Sequence, residues 1–396
     1  MPNRSLQSAA IFFTIFIDIL GFGIVIPVLP LYAEHFGANA WQIGWLVGVF
    51  SMAQFFFAPL WGKISDRIGR KPVLLIGILG TIAGYLWMGL AHTLWMLFAA
   101  RLIDGIAGAN ISAAQAYMAD ISSAENRARA MGLIGAAFGL GFVFGPALGG
   151  WASQTFNYAA PMFIAAALAF LNFLFVVFWL PESRPPGLIG EKGEPLFPGL
   201  LSHVSRRIYF WSLGSYFLVI FGFSMMTTVF ALLLLHRFEL DAMHTGYLFA
   251  GIGILGAFIQ GGLIGRLVRR FGEARLAFFG CLSMGAGLAG LALSPDLKGL
   301  LLSSAVVGIG NSLLMPTLSA LASRSADEQW QGRALGVLQS SGSLARWLGP
   351  LLAGALLGWP LAGGMGQYAF LPLIGAAAIL GAAAITALQL AGKPAK

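Results

Sequence analysis

The amino-acid sequence predicts an all-α integral membrane protein of twelve transmembrane helices in two pseudo-symmetric six-helix bundles. Three observations carry that expectation. Of 396 residues, 58% are hydrophobic and only 10% charged, with a mean hydropathy of +0.82; soluble globular chains carry about 25% charged residues. Apolar stretches recur about every 33 residues, the length of a 20-residue span plus a short connection. The second half of the chain also repeats motifs of the first at a near-constant offset. Such a composition excludes a water-soluble enzyme, a nucleic-acid-binding domain and a disordered chain. The net charge of +8 is therefore read as cytoplasmic loop charge in a membrane protein. The single cysteine, Cys281, lies in an apolar run and leaves no intramolecular disulfide to form.

The spans follow in order. Span one, 8–30, carries Asp18 and ends in Pro27-Val28-Leu29-Pro30; it is too long, and lacks the small-residue cleavage site, for a signal peptide. Spans two and three cover 42–61 and 73–91. Span four, 93–116, contains Arg101 and Asp104; span five, 130–150, is rich in glycine; span six is 159–180. The second set falls at 209–235, 246–265, 275–293, 299–322, 333–358 and 367–391. These runs are too long, and lack the in–out alternation, for the strands of an outer-membrane barrel.

Orientation comes from the basic residues. Nineteen of the 23 Lys and Arg residues lie at the termini or in alternate connections: Arg4; Lys63 to Lys71; Arg127 and Arg129; Arg184 to Arg207; Arg266 to Arg275; Arg324 and Arg333; Lys393 and Lys396. The intervening connections hold only Arg237 and Lys298. Both termini are thus expected in the cytoplasm of a bacterial-type inner membrane. The longest connection, 181–208, has five prolines and four glycines and reads as a cytoplasmic linker. It separates an N-terminal bundle, 1–180, from a C-terminal bundle, 209–396. Gly62-Lys63-Ile64 recurs as Gly265-Arg266-Leu267, Arg129-Ala130-Met131-Gly132 as Arg333-Ala334-Leu335-Gly336, and Gly145-Pro146 as Gly349-Pro350. Six-span repeats of even parity are parallel repeats about the membrane normal, with a transport site near the midplane.

Two motifs suit a moving part. The turn after span two reads Gly62-Lys63-Ile64-Ser65-Asp66-Arg67-Ile68-Gly69-Arg70-Lys71. Its glycines permit a tight turn, and Asp66 among Arg67, Arg70 and Lys71 can form ion pairs that break in another conformer. This is the candidate cytoplasmic gate; an ordinary positive-inside loop is the plainer alternative. In the second-half copy Arg269 stands at the place of Asp66 and Glu273 at that of Arg70, so an equivalent gate there is not expected. Span five spaces Gly141, Gly145 and Gly149 four apart, with Pro146 and Gly150 beside them. That pattern clears one helical face for close backbone contact, and the proline introduces a kink.

Taken together, these motifs resemble the major facilitator superfamily, in particular its twelve-span drug/proton antiporters, and among them the tetracycline efflux proteins. The resemblance rests on Asp18-Ile-Leu-Gly21-Phe-Gly23 through Pro30, the Gly62–Lys71 turn, Arg101-Leu-Ile-Asp-Gly105, Tyr117-Met-Ala-Asp120, Glu125-Asn-Arg-Ala-Arg129, Gly145-Pro146 and Leu180-Pro-Glu-Ser183. It implies export of a small lipophilic compound in exchange for protons. It also implies that Arg101 alters the proton affinity of a nearby carboxylate. A proton symporter or facilitator on the same fold is the alternative reading. Tetracycline exporters carry acidic residues in spans three and nine. Here those spans read Thr81-Ile-Ala-Gly-Tyr85 and Ser283-Met-Gly-Ala-Gly287, with no carboxylate. The expected substrate is therefore a drug or endogenous lipophile other than tetracycline.

Four ionisable residues fall inside spans: Asp18, Arg101, Asp104 and Arg346. Each costs roughly 2.5–3.5 kcal/mol on insertion scales and so is expected to face the bundle interior. Asp18, about 15 Å along its helix, is the candidate proton carrier, coupled to Arg101. Arg101 and Asp104 share a helical face, and an intrahelical salt bridge is the other possibility for that pair. Arg346 lies roughly 20 Å along span eleven, positioned for an anionic or carbonyl-bearing substrate or for a structural partner. Candidate cavity residues are Gln54, Asn110, Gln115, Gln260, Asn311 and Gln339, with Met225 and Met226 as an adaptable apolar wall. Two glycine strings, Gly251 to Gly256 and Gly285 to Gly290, match a dinucleotide fingerprint but lie inside apolar spans. No Walker A sequence and no metal-ligand spacing occur, so neither cofactor nor metal is expected. The expected partners are a small-molecule substrate, protons and the lipid bilayer, acting on a monomer.

Overall fold

The computed structural model describes residues 4–108, 111–121, 127–183, 202–327 and 330–357, with 375 and 378–380 beyond them. The side chains of Asp66 and Gln115 lie outside the described set, as does Asn110. Among the described residues the only extended pairing is an isolated bridge between Val204 and Ala326; everything else regular is helix.

In the first half, α1 (Arg4–Val25) stops ahead of Pro27, and α2 (Leu29–His35) starts with Pro30 in its first turn. Proline disfavours helix in the residue before it but fits a first turn, hence the break between them. Helix α3 (Ala40–Ile68) opens on a capping box in which Asn39 and Gln42 bond each other's backbone N–H. Helix α4 (Arg70–Gly89) follows after one residue, Gly69, whose φ of +102° is open to glycine. Thr93 caps α5 (Leu94–Ala107), and α6 (Ile111–Ile121) follows it. Together they cover the span expected at 93–116, of which residues 109 and 110 lie outside the described set. Helix α7 (Arg127–Thr155) continues through Pro146, and α8 (Ala160–Trp179) completes the half.

The second half comprises α9 (Arg206–Phe238), α10 (Ala242–Phe258), α11 (Ile264–Phe271), α12 (Glu273–Leu293), α13 (Leu297–Arg324) and α14 (Gln331–Leu357). A π-turn, Ile259–Leu263, joins α10 to α11. Its Gly261-Gly262 pair weakens α-helical preference at that point. Among the described residues, eight segments are long and apolar enough to cross a bilayer: Ala9–His35, Ala40–Ser65, Arg70–Gly89, Ala160–Trp179, Arg206–Phe238, Ala242–Phe271, Glu273–Leu293 and Leu297–Arg324. Helices α7 and α14 cover the stretches expected as spans five and eleven, and the expected span twelve lies largely outside the described residues. The protein is a multi-pass helical membrane protein.

Contacts divide the chain into two units, residues 1–191 with 239–250, and residues 192–238 with 251–396. In the first, Ile11, Ile15, Leu74, Ile78, Tyr117, Met118 and Val176 form a core where α1, α4, α6 and α8 meet. Lipid is as apolar as these side chains, so their close fit and the helix hydrogen bonds, rather than exclusion of water, hold the bundle. Large apolar groups such as Phe13, Phe178 and Phe258 point outward, exposed, as a lipid-facing surface requires.

Candidate functional site

Asp18, on α1, is half-buried. Its Oδ1 is buried and has no hydrogen-bond partner. Arg101 and Asp104, on α5, are each 2% exposed and bond each other, Arg101 Nη1 to Asp104 Oδ2 at 3.1 Å. The intrahelical salt bridge weighed for Arg101 and Asp104 is the ion pair that forms. The i,i+3 spacing brings the two heads together at no cost in backbone distortion. Above the pair, the Arg101 guanidinium lies 4.2 Å from the centroid of the Phe50 ring, a cation–π contact strengthened by the absence of water. Asp18 and Asp104 remain within electrostatic reach of each other, and Tyr85 is within reach of both.

Glycines set this geometry. A Cβ at Gly21 would stand 2.9 Å from the Tyr85 hydroxyl, so the missing side chain lets the phenol approach α1 one turn from Asp18. At Gly84 a Cβ would meet Asp104 Cβ at 2.8 Å. No side chain, a carboxylate included, fits at Gly84 without a shift of its neighbours. Thr81, one turn earlier, hydrogen-bonds Asp104.

The span-five glycines serve two neighbours. On α7, Cβ atoms at Gly141 and Gly145 would lie 2.7 Å from Ile19 and from the Leu20 carbonyl, and Gly149 abuts the Ile24 carbonyl; all three are on α1. Gly150 instead faces the Ala242 carbonyl, and Gly246 faces that of Pro146. The four-residue spacing fits α7 to α1, while Gly150 and Pro146 fit it to the first turns of α10. These turns, Ala242–Ala250, belong to the same contact unit as α7.

At the turn after α3, where the sequence places a gate, the gate members Arg70 and Lys71 meet partners outside that motif. Glu182, just past α8, accepts the backbone N–H groups of Arg70 and Lys71 at 2.9 and 3.0 Å, closing the N-terminus of α4 with a charge that its dipole favours. Arg70 pairs with Asp120 at 3.1 Å and donates to Ser65 Oγ. Lys71 Nζ donates to the Val177 carbonyl, and the Tyr117 hydroxyl to that of Pro181. Arg67 is exposed. Changing Glu182 to Gln should remove a charged acceptor for two backbone donors. We expect a loss of about 1.5–3 kcal/mol, read as a lower melting temperature of the detergent-purified protein.

The second half repeats this junction with its charges exchanged. Gly272, φ +77°, precedes α12 as Gly69 precedes α4, and Glu273 pairs with Arg324 at 3.1 Å. Glu273 occupies the repeat position of Arg70, and Arg324 that of Asp120. No equivalent gate is expected there for want of an Asp66 counterpart, yet the Arg70–Asp120 pair has a counterpart of reversed polarity.

Of the cavity candidates, Gln54 Nε2 donates to the Gly108 carbonyl at 3.2 Å. Gln260 is exposed within the π-turn, Asn311 is half-buried, and Gln339 accepts from the Tyr216 hydroxyl at 3.3 Å. Met225 and Met226 are 0% and 1% exposed and pack in the second unit. Arg346 bonds Ser343 Oγ at 3.0 Å. Among the described residues no group of His, Cys, Asp and Glu is arranged to hold a metal.

The profile of the Major Facilitator Superfamily matches residues 11–350 and 263–395. The chain belongs to that superfamily. It is accordingly a transporter and not an enzyme. Among its superfamily relatives, the tetracycline resistance protein, class E, of Escherichia coli is 34% identical over 88% of this chain and 87% of its own. The class B protein of the same organism is 32% identical over 85% and 84%. The quinolone resistance protein NorA of Staphylococcus aureus (strain COL) is 28% identical over 88% and 89%. A solved superfamily structure, the human organic anion transporter MFSD10 (TETRAN), aligns with 98% of this chain and 100% of its own at a TM-score of 0.71 and 26% identity.

Proposed function

We propose that this protein is a proton-coupled antiporter that exports a small lipophilic compound, a drug or an endogenous metabolite, by alternating access across an inner membrane. Both termini are cytoplasmic in this reading, and twelve spans form two six-helix bundles. The observation that carries it is Asp18: a half-buried carboxylate with one orphaned buried oxygen, next to a closed Arg101–Asp104 pair. A carboxylate whose partner cation is already engaged is available to a proton. Relatives named for tetracycline and quinolone resistance support efflux of drugs, and one named for organic anions supports a range beyond tetracycline.

In the cycle, Asp18 takes a proton from the outer side, which removes a charge from beside Asp104 and releases α1 against the glycine face of α7. Substrate binding on the inner side favours return of that proton to the cytoplasm. The contacts of Gly150 and Gly246 seal the outer side while the site faces inward, and the Arg70–Asp120–Glu182 network holds the cytoplasmic ends of its helices through the change.

Everted membrane vesicles provide the test. Respiration acidifies their lumen, and export from the cell corresponds to uptake into that lumen. Each proton supplies about 2.3 kcal/mol per 100 mV, so drug accumulation should appear on energisation and vanish with a protonophore. Accumulation with the proton in intact cells would instead establish the symporter.

A further inference from the structure

The second unit contains a charge that the proton cycle does not use. Arg346, on α14, lies inside an apolar span. The segment 209–396 has only six carboxylates, and none lies within its apolar spans: Glu239, Asp241, Glu273, Asp296, Asp327 and Glu328. Several have duties of their own. Glu273 pairs with Arg324, Asp296 caps α13 through the Gly299 N–H, Asp327 pairs with His203, and Asp241 accepts from His244. The part of the chain beyond Leu357 contains no Asp or Glu at all. Arg346 therefore has no intramembrane counter-ion within its own half of the sequence.

Its surroundings are polar but neutral. Arg346 Nη2 donates to Ser343 Oγ at 3.0 Å, one turn back on α14. Gly342 leaves the guanidinium room: a Cβ there would meet the Tyr216 ring at 2.8 Å and Arg346 Nη1 at 3.5 Å. The phenol of Tyr216, from α9, donates to Gln339 Oε1 at 3.3 Å. Gly342 thus brings a phenol from one helix alongside a guanidinium from another. The group is half-buried rather than sealed: Arg346 and Ser343 are partly accessible and Gln339 is exposed.

A guanidinium with five donors satisfies few of them on one hydroxyl, and an uncompensated cation in a span costs several kcal/mol. A structural role would be served by a carboxylate in reach; among the described residues the groups beside the guanidinium are hydroxyl and amide dipoles. We infer that Arg346, Tyr216, Ser343 and Gln339 form an anion subsite that holds the acidic group of an amphiphilic substrate. The substrate class is an aromatic or otherwise lipophilic monoanion, a carboxylate, sulfonate or enolate. Arg346 pairs with the anion, Ser343 positions the guanidinium, and the Tyr216 hydroxyl turns from Gln339 to the ligand. The inference rests on the exporter reading and adds the chemistry of its cargo.

The matched probes are dansylate and dansylamide, which share one fluorophore and differ by one negative charge. Binding to the purified full-length protein is read by fluorescence, and transport in energised everted vesicles. Wild type should bind dansylate at least ~10-fold more tightly than dansylamide, the scale of one charged hydrogen-bonded contact. Arg346→Gln should abolish that preference and leave dansylamide affinity unchanged; Arg346→Lys should keep part of it. Tyr216→Phe, which retains the ring packed at Gly342, should weaken dansylate alone and guards against a folding defect in the arginine variants. No preference in wild type, or equal loss of both probes in Arg346→Gln with Tyr216→Phe unaffected, would overturn the subsite. Energised uptake of either probe or of a drug in Arg346→Gln vesicles would leave the exporter reading standing, so the two failures are distinguishable.

Discussion

Asp18→Asn is expected to abolish proton-driven drug accumulation in everted vesicles, by ~100-fold or more, the usual scale for loss of a positioned proton-transfer group. Exchange of labelled for unlabelled substrate across proteoliposomes, with no gradient, should continue. The amide is nearly isosteric, and it removes a carboxylate that has a buried oxygen without a partner, so the fold should lose little. The combination is diagnostic: a merely structural Asp18 would show altered stability with intact coupling. Undiminished gradient-driven accumulation in this variant would exclude Asp18 as the carrier. The Arg101–Asp104 pair should behave otherwise, because removal of one partner leaves a buried charge uncompensated.

Gly246→Leu is the second large effect. No side chain fits between α10 and the Pro146 carbonyl, where the backbones are in contact. Overpacking of this kind costs about 1–3 kcal/mol when helices must shift. It falls on the seam where Gly150 and Pro146 of α7 receive α10. If that seam must close in every cycle, transport should fall ~10-fold or more, while substrate binding to the purified protein persists. Gly251→Leu is the control, since nothing lies within 4 Å of a Cβ there; it should leave transport near wild type. Equal rates for the two variants would remove the seam from the mechanism.

Much of this molecule was legible from the sequence. Pro27 to Pro30 mark the end of span one, where α1 gives way to α2, and the glycines of the Gly62–Lys71 motif mark the turn between α3 and α4. The Gly141, Gly145, Gly149 spacing predicted close helix contact because residues four apart share a helical face. Local rules sufficed for these features. The π-turn at Ile259–Leu263 was not foreseen, because hydropathy reports apolarity and not helix continuity.

The site was legible in part. Its charged residues were evident because hydrocarbon tolerates so few, but their partners were not. The sequence allowed Arg101 to reach either Asp18 or Asp104, and packing selected Asp104. Glu182 lies more than a hundred residues from the N–H groups it accepts, Phe50 about fifty from Arg101, and Tyr216 more than a hundred from Gln339. Periodicity carries no information about such pairs.

The sequence by itself determined that this protein lives in a bilayer, where its charges fall along the chain, and that its halves repeat. Those properties follow from composition and local spacing, which act on each segment independently. Tertiary structure alone decided which oxygen of Asp18 is left without a partner, that the Arg70–Asp120 junction recurs as Glu273–Arg324 with reversed charge, and that Arg346 stands among neutral dipoles. Each depends on side chains from distant segments arriving within about 3–4 Å, and only the packed helices fix distances of that kind.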